Sequence, residues 1–340
     1  MRQFKEKGSG EMKDEQNHDY KEQIHYSTKQ VTFRSPVLEG WNWTVHEITS
    51  PVPGPLLCVM AGIHVNEVDG IEATFQLVER FRRELRCGTV SIMPIVNLPA
   101  LADRSQHVCP IDGKNINFSF PGSSQGTFSE ALADALLNEW AADAACLIDL
   151  HGGDLCERVA RFSVAPMIGD KSFDEFNFTL AAAFAPDIIV RIPPELLMKP
   201  GRSCSGRARQ RKFAAFAEAG GNGLLDENSV SFHRDGVLRV ASLLGMIEEQ
   251  ARTNEKQPFI ATEYHWLKAE INGWCRYAVE PGEHVVNGQT IASVYDFTGS
   301  KIHDVIAPVT GVVLWRCTHA IVTSETDLFG IAAGELRRIE

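Results

Sequence analysis

The apolar positions of this chain fall into short continuous runs separated by stretches of helical period. The runs LLCVMA (56–61), GTVSIM (88–93), AACLIDL (144–150), FSVAPMI (162–168) and DIIVRIP (187–193) each read as a buried strand. The alternating segment KFAAFAEAGG (212–221) reads as a further, central strand. Between the runs, Ile71, Phe75, Val78 and Phe81 recur at helical spacing. Thr127 and Glu130 form a capping box for a helix carrying Leu132, Leu136 and Trp140. The stretch NSVSFHRDGVLRVASLLGMI (228–247) predicts another helix, and TFRSPVLEGWNWTVHEI (32–48) a strand or hairpin leading into the core. Strand and helix alternate throughout, which predicts an α/β fold with a predominantly parallel sheet covered on both faces. From Tyr264 onward the pattern changes to short β-type runs. They are punctuated by turns at Pro281-Gly282-Glu283, Asn287-Gly288, Thr298-Gly299-Ser300 and Ala307–Gly311. That spacing predicts a compact all-β module.

Candidate chemistry sits at the ends of two predicted strands. His64 and Glu67, in AGIHVNEVDG, follow the first apolar run, and His151, in LIDLHGG, follows the third. Two histidines and a glutamate are the donor set of a catalytic zinc that keeps a fourth position open. In an open α/β sheet the carboxyl edge is where ligands collect. A single histidine of this kind is more often a hydrogen-bonded structural residue. The pairing of two strand ends reverses that balance. Asp149, two residues before His151, faces the same way and serves either as support for it or as packing.

Further motifs add a resemblance. Asn97-Leu98-Pro99-Ala100 is followed by Arg104-Ser105, then by DGKNINFSFPG (112–122) and by FAEAGGNG (216–223). Together with G-x-H-x-x-E and D-L-H-G-G, these resemble the succinylglutamate desuccinylase/aspartoacylase family of the zinc carboxypeptidase superfamily. The likeness covers roughly residues 30 to 335, and its motifs are specific in combination rather than singly. It implies one zinc ion per chain on His64, Glu67 and His151. It also implies that Glu218 takes a proton from the attacking water and later delivers it to the leaving amine. The alternative for Glu218 is a structural ion pair, because a charge in a central strand needs a partner. Glu227 lies nearby but precedes a helix, where an acidic residue is expected anyway.

One departure concerns the substrate. The family pattern N-x-N-R-x-F-P-G is met here by Asn115, Ile116, Asn117, Phe118, Ser119, Phe120, Pro121 and Gly122. Phe118 replaces the arginine that commonly grips a substrate carboxylate, and a phenyl ring cannot offer its bidentate fork. Arg104, which matches a family arginine, is the expected substitute, and Asn117 is expected to help hold the polar end of the substrate. Arg202 and Arg207, in PGRSCSGRARQR, rank behind it and read as a solvated loop and the start of a surface helix. The tail resembles a biotinyl/lipoyl-like barrel, which the family often carries. Lys301 has no flanking methionines, so no attached cofactor is expected. The tail narrows the active-site mouth or mediates oligomerisation, and sequence does not choose. His265, His284, His303 and His319 are expected at its surface.

Composition is that of an ordinary globular enzyme, with 340 residues, 44% hydrophobic and 23% charged. The net charge of −11 and the lack of a basic stripe argue against a nucleic-acid partner. Eight scattered cysteines form no C-x-x-C pair, and neither Cys109 nor Cys156, near the site loops, has a convincing histidine partner. The amino terminus has no signal-peptide core, and no apolar run spans a bilayer. A cytoplasmic location with reduced thiols follows as the expectation. The domain reading is a mobile extension (1–25), a zinc hydrolase domain (26–257) and a C-terminal β-domain (258–340). The predicted activity is hydrolysis of the amide bond of a small N-acyl amino acid or N-acyl amine. Possible partners are that substrate and further copies of the chain in a homo-oligomer. A metallocarboxypeptidase or esterase on the same zinc is the alternative, and a non-catalytic metal-binding protein comes third.

Overall fold

The computed structural model describes residues 23–103, 107–197, 199–249 and 257–334. Strands β1 (His25–Val31) and β2 (Trp43–Thr49) open the chain, followed by β3 (Leu56–Ala61), helix α1 (Val68–Glu84) and β4 (Thr89–Met93). Helices α2 (Leu98–Asp103) and α3 (Phe128–Ala135) lead to β5 (Cys146–His151) and β6 (Glu157–Pro166). Then come α4 (Lys171–Ala182), β7 (Ile188–Ile192), α5 (Pro194–Leu197), α6 (Ser203–Arg209), β8 (Phe213–Gly221) and α7 (Glu227–Leu243). The remainder is β-structure: β9 (Phe259–Ala261), β10 (Glu263–Lys268), β11 (Gly273–Tyr277) and β12 (His284–Val285). It ends with β13 (Thr290–Tyr295), β14 (Lys301–Ile306), β15 (Gly311–Cys317), β16 (Ile321–Val322) and β17 (Asp327–Ala333). Most of the expected amino-terminal extension lies outside the described residues, and its last expected residue, His25, already belongs to β1. Among the described residues no helix is long and apolar enough to cross a membrane.

Thirteen of these strands form one mixed sheet, whose main path runs β1-β2-β4-β3-β5-β8-β6-β15-β17-β10. Its central block, β4-β3-β5-β8, is parallel, as the continuous apolar runs predict. Both flanks are antiparallel: β2 runs against β4, and β6 against β8. The link 152–156 between β5 and β6 explains the second case. A connection this short cannot make a parallel crossover and must return at the same edge.

Helices cover the two faces. On one, Ala73, Leu77 and Phe81 of α1 pack with Val230, Val237 and Val240 of α7 against the strands. On the other, Ala131, Leu132 and Ala135 of α3 and Cys204 of α6 close a second apolar layer. The α1 stripe is thus offset from the expected one, and Phe75 lies 46% exposed on its margin. In the predicted capping box, the Glu130 carboxylate accepts the Thr127 N–H at 2.9 Å. Beyond Ala135 the helix widens into a π turn, Leu136–Trp140.

The carboxyl-terminal unit is all-β, as the turn spacing predicts. Strands β14-β13-β11-β16 form a separate antiparallel sheet, over a core that includes Cys275, Ile291, Val294 and Phe329. The unit is not a free appendage. Trp315 of β15 pairs with Val159 of β6, so β15, β17 and β10 continue the main sheet.

Candidate functional site

The parallel block delivers the candidate ligands to one edge. His64 follows the carboxyl end of β3, Glu67 precedes the first turn of α1, and His151 is the last residue of β5. In the register of β5 and β8, His151 lies directly opposite Glu218. Residues far apart in the chain therefore meet because their strands are neighbours in the sheet.

His64, Glu67 and His151 are all buried. The His64 Nδ1 lies 2.6 Å from Glu67 Oε1, and the His151 Nδ1 lies 2.9 Å from Glu67 Oε2. One donor atom from each residue falls within 4.8 Å of the others. A tetrahedral zinc with bonds of about 2.0–2.1 Å needs donors roughly 3.3 Å apart, so small side-chain adjustments suffice. Each outer nitrogen has an oxygen near it: His64 Nε2 makes a hydrogen-bond contact of 3.0 Å with Asn115 Oδ1, and His151 Nε2 stands 3.1 Å from Asp149 Oδ1, a charge contact without hydrogen-bond geometry. The first is the arrangement that orients a ligating imidazole. Asp149 in turn accepts the Ser203 hydroxyl, and the His151 ring stacks on Phe216 with centroids 4.6 Å apart. The donor chemistry, burial and outer contacts all fit a divalent metal.

Glycine is required beside these ligands. The Gly152 N–H donates to Glu67 Oε2 at 3.0 Å, and a Cβ at Gly152 would stand 2.4 Å from the Ala219 carbonyl oxygen. Gly220 has φ +88, and a Cβ there would meet the Asp69 carboxylate.

The charges are strongly coupled. Burial disfavours ionised Glu67, yet the two histidines outweigh it and hold the carboxyl well below its ordinary value. Burial also opposes protonation of His64 and His151. The Glu67 carboxylate overcomes this at His64, and Asp149 with Glu67 at His151, so both pKa values rise. Burial pushes Glu218 up to about 7, with His151 opposing and Glu67 adding to the shift. Glu157, beside it, is raised well above the carboxylate range by burial and by the Glu218 charge.

His64, Glu67, Glu157 and Glu218 open into a pocket of about 390 Å³ lined also by Asn117, Phe118 and Arg202. Asn117 is buried, and its Oδ1 has no hydrogen-bond partner among the described residues. Arg104, the expected carboxylate anchor, lies outside the described residues. The other two arginines differ from expectation. Arg202 is not in a solvated loop but lines the pocket, its guanidinium carbon 5.4 Å from the Phe216 ring centre. Arg207 is fully buried rather than on a surface helix. It donates to the Ala141 and Ala144 carbonyls at 2.8 and 2.7 Å. Both carbonyls lie just beyond the π turn, and the guanidinium supplies donors to them in the interior.

Several lining residues had no sequence signal. Tyr264, Trp266, Trp315 and Asp327 come from the carboxyl-terminal unit, with Trp266 Nε1 donating to Asp327 Oδ1 at 2.6 Å. The tail therefore contributes part of the pocket lining. His107 also lines the pocket, 3.5 Å from Asp154 and with its ring centre 5.2 Å from that of His64. Asn115 stood inside the N-x-N motif, but only the fold reveals its contact with His64. Cys156 lines the pocket with its thiol pKa raised by burial, in keeping with an inert residue. His265 and His303 are partly buried, and His284 and His319 exposed.

Residues 53–244, more than half of the chain, match the profile of the succinylglutamate desuccinylase/aspartoacylase catalytic domain. The chain is 29% identical over 256 residues to the N-alpha-acetyl-L-2,4-diaminobutyric acid deacetylase of Halomonas elongata, covering 73% of each protein. Its fold is similar to that of the product-bound ectoine utilization protein EutE (DoeB) from Ruegeria pomeroyi. That match has TM-score 0.79 and 21% identity, over 92% of this chain and 95% of the other. A succinylglutamate desuccinylase from Silicibacter sp. matches with TM-score 0.76 and 20% identity, over 91% and 95%. With the profile spanning the segment that carries His64, Glu67, His151 and Glu218, the chain belongs to the succinylglutamate desuccinylase/aspartoacylase family.

Proposed function

We propose that this protein is a zinc-dependent deacylase that hydrolyses the amide bond of a small N-acyl amino acid or related N-acyl amine. The observation that carries the reading is the convergence of His64, Glu67 and His151 at one strand edge, with Glu218 in register beside His151. His64, Glu67 and His151 would hold one zinc ion per chain. Zinc there supplies Lewis acidity, polarising the scissile carbonyl and acidifying water. Glu218 accepts the proton of the attacking water at its carboxylate and passes it to the leaving amine nitrogen. A carboxyl held near neutrality by burial suits both halves of that transfer. Asn117 offers its amide to the polar part of the substrate. Arg104 and Arg202 are the guanidinium candidates for its carboxylate or carbonyl, and Arg202 lines the pocket. The deacetylase activity in the name of the Halomonas elongata relative supports an acetylated amine as one substrate.

We further read residues 26–257 as the hydrolase domain and 258–340 as a biotinyl/lipoyl-like barrel without an attached cofactor, acting on the mouth of the site. Six of the eight cysteines are buried free thiols, which suits a reducing compartment such as the cytoplasm. The test is free-amine release from a panel of N-acyl amino acids and uncharged N-acyl amines, using zinc-loaded protein beside Glu218→Gln. Release that disappears in the variant supports the reading. No release by protein carrying one zinc per chain overturns it.

A further inference from the structure

Against the catalytic pocket lies a second cavity, of about 580 Å³, that the proposed chemistry does not use. Phe118, Phe162, Arg202 and Tyr264 line both spaces, so the two meet at a common wall. Beyond that wall the lining is chiefly apolar: Val164, Val190, Ile192, Pro193, Leu196 and Leu314. Its charged members include Arg191, Glu195, Lys199 and Glu263. The last three are exposed and mark a polar rim rather than the interior. Phe118 and Leu196 are each 48% exposed, leaving large apolar surface open at a concave position. The volume is that of a ligand pocket, and such pockets are mostly apolar with a few polar groups that fix orientation.

The shared wall decides what this cavity can take. Off the exposed rim its charged residues are Arg191 and Arg202, and Arg202 sits at the shared wall; a charged group carried past that wall would exchange water largely for aliphatic side chains. An alkyl or aryl group would gain from the same transfer. Phe118, immediately after Asn117, lines both spaces, so the wall they share carries a phenyl ring together with the Arg202 guanidinium. We propose that the cavity is a subsite for an apolar alkyl or aryl group carried by the substrate, extending from the scissile amide past Phe118. This rests on the deacylase reading and narrows its substrate class from small polar N-acyl compounds to those bearing an apolar chain. The chain belongs to either the acyl half or the amine half.

The experiment measures kcat/KM of zinc-loaded protein on two series. One keeps the 2,4-diaminobutyrate amine and lengthens the acyl group from acetyl to octanoyl. The other keeps acetyl and lengthens an n-alkylamine. The expected result is a rise of about three- to fourfold per methylene over the first few carbons of one series, which identifies the half that enters the cavity. Ile192→Trp, which fills the cavity, flattens that series. Leu196→Asp does the same from an exposed position if the first variant does not fold. Turnover of N-acetyl-2,4-diaminobutyrate with both series flat overturns the inference and leaves the deacylase reading standing. If no substrate is turned over, the deacylase reading fails, and calorimetry with butyl-, hexyl- and octylamine and with butanoate, hexanoate and octanoate decides the cavity. Chain-length-dependent binding lost in Leu196→Asp keeps the apolar subsite, and no binding removes it.

Discussion

Replacing Asn115 tests how the candidate metal site is held. Asn115 Oδ1 lies 3.0 Å from His64 Nε2 and accepts the Asn117 backbone N–H at 2.8 Å. A backbone N–H can only donate, so that contact identifies the amide atom as oxygen. The same oxygen then requires a proton on His64 Nε2, so the proton that the metal-free site holds against Glu67 is the one on Nδ1, and that atom becomes the ligand when it is given up. Asn115→Ala removes the acceptor beside a buried ring and frees both its tautomer and its orientation. Loss of such an outer partner typically weakens metal binding 10- to 100-fold, about 1.4–2.7 kcal/mol. Asn115→Asp keeps the acceptor and should lie within a few-fold of the wild type. The assay is competition for zinc against a chelating dye at fixed pH, with the melting temperature of the metal-free proteins as a folding control. An unchanged zinc Kd in Asn115→Ala, or equal losses in Ala and Asp, would refute the reasoning.

Glu218→Gln should retain zinc while turnover falls about 10²- to 10⁴-fold, the usual contribution of a positioned proton-transfer group; loss of zinc as well would show that Glu218 acts on the metal site instead. The raised pKa values of His64 and His151 mean that the metal-free site holds protons near neutrality, which zinc must displace. Zinc affinity should therefore weaken as pH falls, by up to about tenfold per pH unit for each proton displaced. Calorimetry in buffers of different ionisation enthalpy reads the protons released, and identical heats in all buffers would contradict it. Gly152→Ala would press a methyl group against the Ala219 carbonyl, where β5 and β8 bring His151 and Glu218 together. Chemical denaturation should show a loss of about 1–3 kcal/mol, with weaker zinc binding; stability and affinity within error of wild type would show that the strands can part freely.

Local features of the chain were legible because they depend on near neighbours. Continuous apolar runs mark strands buried on both faces, and they located the parallel block correctly. The Thr127–Glu130 cap is a three-residue relation and needs no tertiary context. Ligand-type residues at strand ends identified His64, Glu67 and His151 as candidates before their contacts were known. The antiparallel flanks were not legible, because periodicity reports burial and not direction; β6 begins at Glu157, ahead of the apolar run that marks it in sequence, so the short link 152–156 emerged only in the fold.

What the tertiary structure alone decided are contacts between elements distant in the chain. The arginines of α6 and its approach look alike in sequence, yet one lines the pocket and the other donates to buried carbonyls. Which does which depends on where the helix lands against β5 and β8, a matter of packing rather than of pattern. Likewise Tyr264, Trp266, Trp315 and Asp327 reach the mouth only because β15 joins β6. Sequence by itself determined the buried strands of the parallel block, the Thr127–Glu130 cap and the candidate donor residues, since these follow from side-chain chemistry at short range. The order of the strands decided which donors share a site and which apolar residues wall a second cavity beside it, because hydrogen-bonded pairing, not distance along the chain, sets what faces what.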